Sequence, residues 1–174
     1  SDGMHYLVIC SVALFASGLT LYSGFGLGTL LLPAFAFFFP IEQAVALTAI
    51  VHFLNGLFKL ALAGRHANRS VVLRFGIPAI LAALAGAWLL LRLADVSPVY
   101  TYDLLGRSAQ VTPVKVVVGS LLIAFAFLEI VPRLRGIEFD KRYLPLGGVL
   151  SGFFGGLSGM QGALRSAFLA RAGL

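Results

Sequence analysis

From Tyr6 to Pro40 the chain is almost entirely apolar, and no single transmembrane helix can contain that run. At 1.5 Å per residue it would reach about 50 Å, against a hydrocarbon core of ~30 Å. The run must break, and glycines gather at Ser23-Gly24-Phe25-Gly26-Leu27-Gly28. A second cluster, Gly159-Met160-Gln161-Gly162, interrupts the stretch Gly148–Leu174. In a bilayer a broken helix leaves backbone groups unpaired in hydrocarbon, at several kcal/mol each. Such breaks survive only when buried in protein or beside a polar cavity. Paired breaks in two halves of one chain point to the substrate site of a secondary transporter.

The chain is 59% hydrophobic and 11% charged, with a mean hydropathy of +0.96. Soluble domains carry about 25% charged residues, so the fold class is an all-α polytopic membrane bundle. A porin-type barrel would alternate with period two, and these runs are continuous. The net charge of +6 does not imply a nucleic-acid partner. The basic residues cluster between apolar runs, where cytoplasmic loops carry them. Cys10 is the sole cysteine, which excludes an intrachain disulfide and a Cys-based metal site; it reads as a buried small hydrophobe. The first apolar run has no basic n-region and no small-residue cleavage site, so it reads as a retained helix.

The expected elements are a helix at 5–22, a short helix at 28–39 ended by Pro40, and helices at 41–63, 75–93 and 114–131. Together these make residues 1–131 a first repeat. A loop at 132–143 follows, and 144–174 opens a second repeat that breaks at Gly159 and resumes as a short amphipathic segment at 163–172. The second repeat is incomplete in this chain, because nothing corresponding to Ile41–Val131 follows; assembly of several copies into a homo-oligomer stays open. Arg65, Arg69, Arg74, Arg133, Arg135, Lys141 and Arg142 fall in 64–74 and 132–143. Only Arg92, Arg107 and Lys115 fall between these segments. Both loops are therefore expected in the cytoplasm and the N-terminus outside. The first half then crosses an odd number of times, so the two halves have inverted topology. Aligning Ser23-Gly24 with Ser158-Gly159 gives the same register.

Several residues are candidates for chemistry. Gly24, Gly26 and Gly28 form G-x-G-x-G, but no strand precedes them and no Lys-Ser/Thr follows, so a nucleotide fingerprint is excluded. Gly24 and Gly28 also form the helix-packing motif G-x-x-x-G. Gly148, Gly152 and Gly156 make a small-residue ridge, as do Ala79, Ala83, Gly86 and Ala87, and both read as packing surfaces. The short helices after Gly28 and Gly162 present free N–H groups and positive dipole ends, which bind anions. Thr48, His52, Asn55 and Lys59 share one face of the 41–63 helix. Polar groups there face the bundle interior or a cavity. His52 is either a neutral core histidine or a proton carrier. Lys59 reads as a snorkelling residue, and Glu129 with Arg133 as a structural i, i+4 pair.

Three stretches resemble the TauE/SafE sulfite-exporter family of membrane permeases: Gly24-Phe25-Gly26-Leu27-Gly28-Thr29-Leu30-Leu31-Leu32-Pro33, Ala44-Val45-Ala46-Leu47-Thr48, and Leu157 through Leu169. Leu27 and Gln161 stand where that family often has glycine. The resemblance implies transport of sulfite, organosulfonates or related small anions, and it favours Arg165 as an anion ligand beside the second break.

The expected function is therefore a permease that moves a small anion such as sulfite or an organosulfonate by alternating access. Its site would comprise Gly24, Gly26, Gly28, Thr48, His52, Asn55, Gly159, Gln161, Gly162 and Arg165. Its surroundings are the lipid bilayer, protons are a candidate coupling ion, and no cofactor, metal or catalytic residue is implied. A cation or proton-coupled transporter for another solute would need intramembrane carboxylates, of which only Glu129 is a candidate. A structural membrane subunit would account for the glycines but not for the paired breaks.

Overall fold

The computed structural model describes residues 2–23, 27–63, 68–104, 106–131, 133, 138–160 and 162–169. The chain is largely helical, and its described residues form seven α-helices: α1 (Asp2–Ser23), α2 (Leu27–Ala36), α3 (Ile41–Ala63), α4 (Arg69–Ala94), α5 (Pro113–Ile130), α6 (Leu144–Ser158) and α7 (Gly162–Leu169). A 3-10 turn, Lys141–Tyr143, precedes α6. Among the described residues three helices, α3, α4 and α5, contain windows long and apolar enough to cross a membrane. Their outward residues are large and apolar: Phe53, Ile80, Leu84, Trp88, Ile123 and Phe127 are all exposed. A water-facing surface of that kind is not found on soluble monomers, whereas a lipid-facing one is ordinary.

The core gathers around α2. Leu31 and Leu32 are fully buried and Phe35 nearly so, packed with Ala44 and Val45 of α3, Val114, Val118 and Phe125 of α5, and Leu157 and Met160. α2 is too short to span a bilayer, at about 15 Å. Pro33 lies inside it and cannot donate to the carbonyl four residues back. The chain turns after Ala36, with Phe39 N–H on the Phe35 carbonyl at 2.9 Å, and α3 returns antiparallel to α2.

α4 and α6 form the closest helix pair, and they run parallel. Gly148 sits on the Phe75 carbonyl, Gly152 on that of Ala79 and Gly156 on that of Ala83, while Gly86 sits on the Phe153 carbonyl. A Cβ at any of the four would overlap backbone. The residues rise together along both helices, so the starts of α4 and α6 lie at the same end of the bundle. Small residues let backbones approach this closely in lipid, where packing and Cα–H···O contacts replace the hydrophobic effect. The two small-residue ridges expected from the sequence are thus each other's partners.

Several boundaries differ from the expectation. α4 begins at Arg69, not near 75, because the Asn68 side chain caps it, accepting from Ser70 N–H at 3.0 Å and Val71 N–H at 3.4 Å. Arg69 and Arg74 therefore belong to the first turns of a helix. α2 stops at Ala36, three residues before the expected end. The polar region before α5 is not irregular: Tyr100–Leu104 and Arg107–Val111 pair as an antiparallel hairpin, β1 and β2, with Tyr100 opposite Val111 and Leu104 opposite Arg107. Tyr100 and Tyr102 stack at 6.2 Å between centroids on one face. Ser108 donates to Asp103 at 2.8 Å on the other. α5 ends at Ile130, so Arg133 does not continue the helical face of Glu129. Cys10 is exposed on α1, not buried, because an apolar side chain in lipid is as well accommodated outward as inward.

Candidate functional site

The second break is built by local chemistry. α6 ends where Gly159 adopts a left-handed conformation, φ 72°, with its N–H on the Gly155 carbonyl at 2.8 Å. Glycine reaches that region without the Cβ penalty other residues meet. Ser158 is fully buried. Its hydroxyl donates to the Phe154 carbonyl at 2.7 Å and accepts from Met160 N–H at 3.3 Å. The Ser158 side chain thus supplies an acceptor for an amide that the interrupted helix releases, while anchoring itself on the last turn of α6. α7 then turns back along α6. Phe168 packs onto Gly147 and stacks on Phe139 at 4.5 Å, and Phe139 N–H bonds the Ala167 carbonyl at 2.9 Å. The α6–α7 unit therefore leaves and re-enters at one end of the bundle, with Gly159-Met160 at its tip.

The first break delivers α2 to that tip. A Cβ built on Gly28 would lie 2.9 Å from His52 Nε2, 3.0 Å from Met160 Cγ and 3.4 Å from the Gly159 carbonyl oxygen. A Cβ on Gly159 would lie 3.1 Å from the Val45 carbonyl oxygen and 3.2 Å from Thr48 Cβ and Cγ2. Gly28, Thr48, His52, Gly159 and Met160 therefore meet at one point, where α2 starts, α6 ends and the middle of α3 passes. His52 lies about 17 Å along α3 from Ile41, close to half of a ~30 Å core.

Thr48 is fully buried, and its hydroxyl donates to the Ala44 carbonyl at 2.8 Å. His52 is half-buried, with Nε2 shielded from solvent. Asn55, one turn further along α3, is also half-buried, as are Gly162 and Arg165 on α7. Gly24, Gly26 and Gln161 lie outside the described residues. A cleft of about 290 Å³ opens beside the meeting point, lined by His52 and Phe53 of α3, Ala79 and Ala83 of α4, and Gly155 and Gly159 among others. Among the described residues His52 is the only polar side chain in that lining; the glycines leave backbone bare.

One contact here was not legible in the sequence. Thr29, the neighbour of Gly28, donates its hydroxyl to Glu129 Oε2 on α5 at 2.9 Å. Glu129 therefore reaches the first turn of α2, where the sequence places it in an i, i+4 pair with Arg133. The only sequence signal was a carboxylate inside an apolar run. Among the described residues there is no cluster of His, Cys, Asp or Glu that could hold a metal ion.

The family model for the sulfite exporter TauE/SafE matches residues 9–173, nearly the whole chain. No curated protein and no solved structure gave a match.

Proposed function

The chain belongs to the sulfite exporter TauE/SafE family, whose members are membrane transporters and not enzymes; from that premise we propose that it moves a small sulfur oxyanion, sulfite or an organosulfonate, by alternating access around the two breaks. The observation that carries this reading is the approach of Gly28 to the Gly159 carbonyl beside His52. Two interrupted segments from distant parts of the chain come together at mid-depth. There the starts of α2 and α7 supply backbone N–H groups and positive dipole ends for an anion. The absence of side chains at Gly28 and Gly159 lets the two breaks pack together, and the anion would sit beside them, in the adjoining cleft, which is large enough for a small solute. Arg165, in the first turn of α7, is the side-chain cation of the site. Its planar fork suits two oxygens of one oxyanion.

In this reading the α1–α2 and α6–α7 pairs are the corresponding broken segments of an inverted repeat, entering from opposite ends. The N-terminus is outside and the starts of α4 and α6 are cytoplasmic. Motion of one hairpin against the other would expose the meeting point to each side in turn. Reconstitution tests the proposal: proteoliposomes containing the protein should accumulate radiolabelled sulfite or a sulfonate above empty liposomes, with competition by the unlabelled anion. Uptake no greater than in empty liposomes for every small sulfur oxyanion tried would reject it.

A further inference from the structure

Glu129 sits where a carboxylate is costly and an anion site makes it costlier. It lies about 24 Å along α5 from Pro113. Its hydrogen bond to Thr29 brings its carboxylate beside the first turn of α2, one residue before α5 ends. Ionisable groups among the packed helices of a membrane protein are costly and mark ion or proton pathways. Consecutive residues of one turn thus face two titratable groups: Gly28 faces His52, and Thr29 holds Glu129.

The helices packed against α5 are α2, α3, α4, α6 and α7. α2 and α6 carry no titratable side chain. α3 carries Glu42 near its start, His52, and Lys59 towards its end. α4 carries Arg69, Arg74 and Arg92, all exposed, with Arg92 over the Trp88 ring. α7 carries Arg165, and Arg133 beyond the end of α5 is exposed. On α5 itself Lys115 is engaged at the other end, donating to the Gln110 carbonyl at 3.0 Å.

An anion seated at the start of α2 would share that turn with Glu129. Two negative charges so placed disfavour joint ionisation, and the group able to bind a proton takes one. A sulfonate is too weak a base to do so near neutral pH; a carboxylate is not. We propose that Glu129 is the proton-binding group of this site. With no anion bound it is a carboxylate that holds Thr29 and the first turn of α2. When the anion is seated it takes a proton from water on the open side and releases it with the anion on the other, so one proton accompanies each anion. On loading, an O–H bond of hydronium breaks as the carboxyl O–H forms, and on release the carboxyl O–H breaks as hydronium re-forms. The inference rests on the anion-transport reading and assigns the coupling group within it.

The experiment uses the full chain in liposomes loaded with a pH-sensitive dye. The probe is methanesulfonate, which carries no proton of its own between pH 5 and 8. One arm follows exchange of labelled for unlabelled methanesulfonate; the other follows lumenal acidification under an inward methanesulfonate gradient. The wild-type protein should do both. Glu129→Gln keeps an acceptor for Thr29 and cannot hold a proton, so acidification should fall at least tenfold while exchange stays within threefold. Thr29→Val removes a donor that favours the ionised carboxylate and should move the pH midpoint of net uptake upward. Acidification by Glu129→Gln at the wild-type rate, loss of exchange together with acidification in that variant, or an unmoved midpoint in Thr29→Val would each overturn the proposal. Wild-type exchange without acidification overturns it while leaving anion transport intact. Wild-type protein that neither exchanges nor accumulates methanesulfonate, sulfite or another sulfonate removes the transport reading and this inference together.

Discussion

Gly28 faces the carbonyl oxygen of Gly159 so closely that a Cβ on it would lie 3.4 Å from that oxygen, and closer still to His52 Nε2 and Met160 Cγ. The two residues belong to separate breaks, and their approach leaves no room for a side chain. Membrane insertion alone would not demand this, since the exposed Gly18 and the half-buried Gly56 have nothing within 4 Å of a Cβ.

Gly28→Ala should therefore push His52 or Met160 aside and destabilise the protein by about 1–3 kcal/mol. Gly28→Val should abolish transport. Gly18→Ala, which meets open space, should match or slightly exceed wild-type stability, since alanine is the better helix former. Thermal unfolding in detergent and uptake in proteoliposomes, measured on the same preparations, check this. Wild-type transport by Gly28→Val would mean that the contact does not matter to the site.

The α4–α6 seam makes a second claim. Gly152→Ala would drive a methyl group into the backbone of Ala79, an obstacle that cannot rotate away. A loss of at least ~2 kcal/mol is expected, at the upper part of the usual range for overpacking. Gly119→Ala on α5, where a Cβ meets nothing within 4 Å, is the matched control. Equal melting temperatures for the two variants would contradict the parallel packing.

Much of this architecture can be read from residue types because hydrocarbon punishes unpaired backbone. The overlong run before Pro40 and the glycines at 24–28 and 159–162 announce the breaks. The i, i+4 glycines of α6 and the alanines of α4 announce a close seam. Partners are harder to read. Nothing local ties Thr29 to Glu129 a hundred residues away, and the pattern-based pairing of Glu129 with Arg133 assumed a helix that stops at Ile130. Cys10 shows a further limit: in lipid, apolar character does not distinguish a buried face from an exposed one. The start of α4 was hidden because its basic first turns look like loop, although Asn68 is a good capping residue. The β1–β2 hairpin was hidden because a short, exposed strand pair buries little and leaves only a weak alternation.

Ser158 holds the second break together by accepting from Met160 N–H while donating to the Phe154 carbonyl. Ser158→Ala should leave that amide without its acceptor in a buried position, at about 1–3 kcal/mol. Hydrogen exchange at Met160 should accelerate, with α1 unaffected. Unchanged exchange at Met160 would show that the serine does not stabilise the tip. Gly159→Ala should be worse than an ordinary helix-end substitution, since a Cβ in the left-handed region costs about 1–2 kcal/mol.

Arg165→Lys keeps the charge but loses the planar fork, so it should weaken sulfite or sulfonate binding without loss of folding. A decrease equivalent to about 1–3 kcal/mol is expected for a hydrogen bond to a charged group. Arg165→Ala should lose more. Direct binding to detergent-solubilised protein measures both, and wild-type affinity in Arg165→Ala would exclude this residue from the site.

The parallel seam also constrains topology. Because α4 and α6 start at the same end, the segments before them, around Asn68 and Asp140, must lie on one side of the membrane. The β1–β2 hairpin joins the far end of α4 to the start of α5, so it lies on the other side. In the proposed orientation the excess of Lys and Arg around the first two segments marks their side as the cytoplasm. In a Cys10→Ala background, a cysteine at Gln110 should react with an impermeant thiol reagent in intact cells. Cysteines at Asn68 and at Asp140 should react only after the membrane is opened. Replacement of the exposed Cys10 is required, since its thiol would add background. Labelling at Asn68 and Asp140 from outside, with Gln110 protected, would invert the orientation but keep the seam. Labelling of Asn68 and Asp140 from opposite sides would contradict the parallel arrangement itself, and with it the joint approach of the two breaks that the proposed site requires.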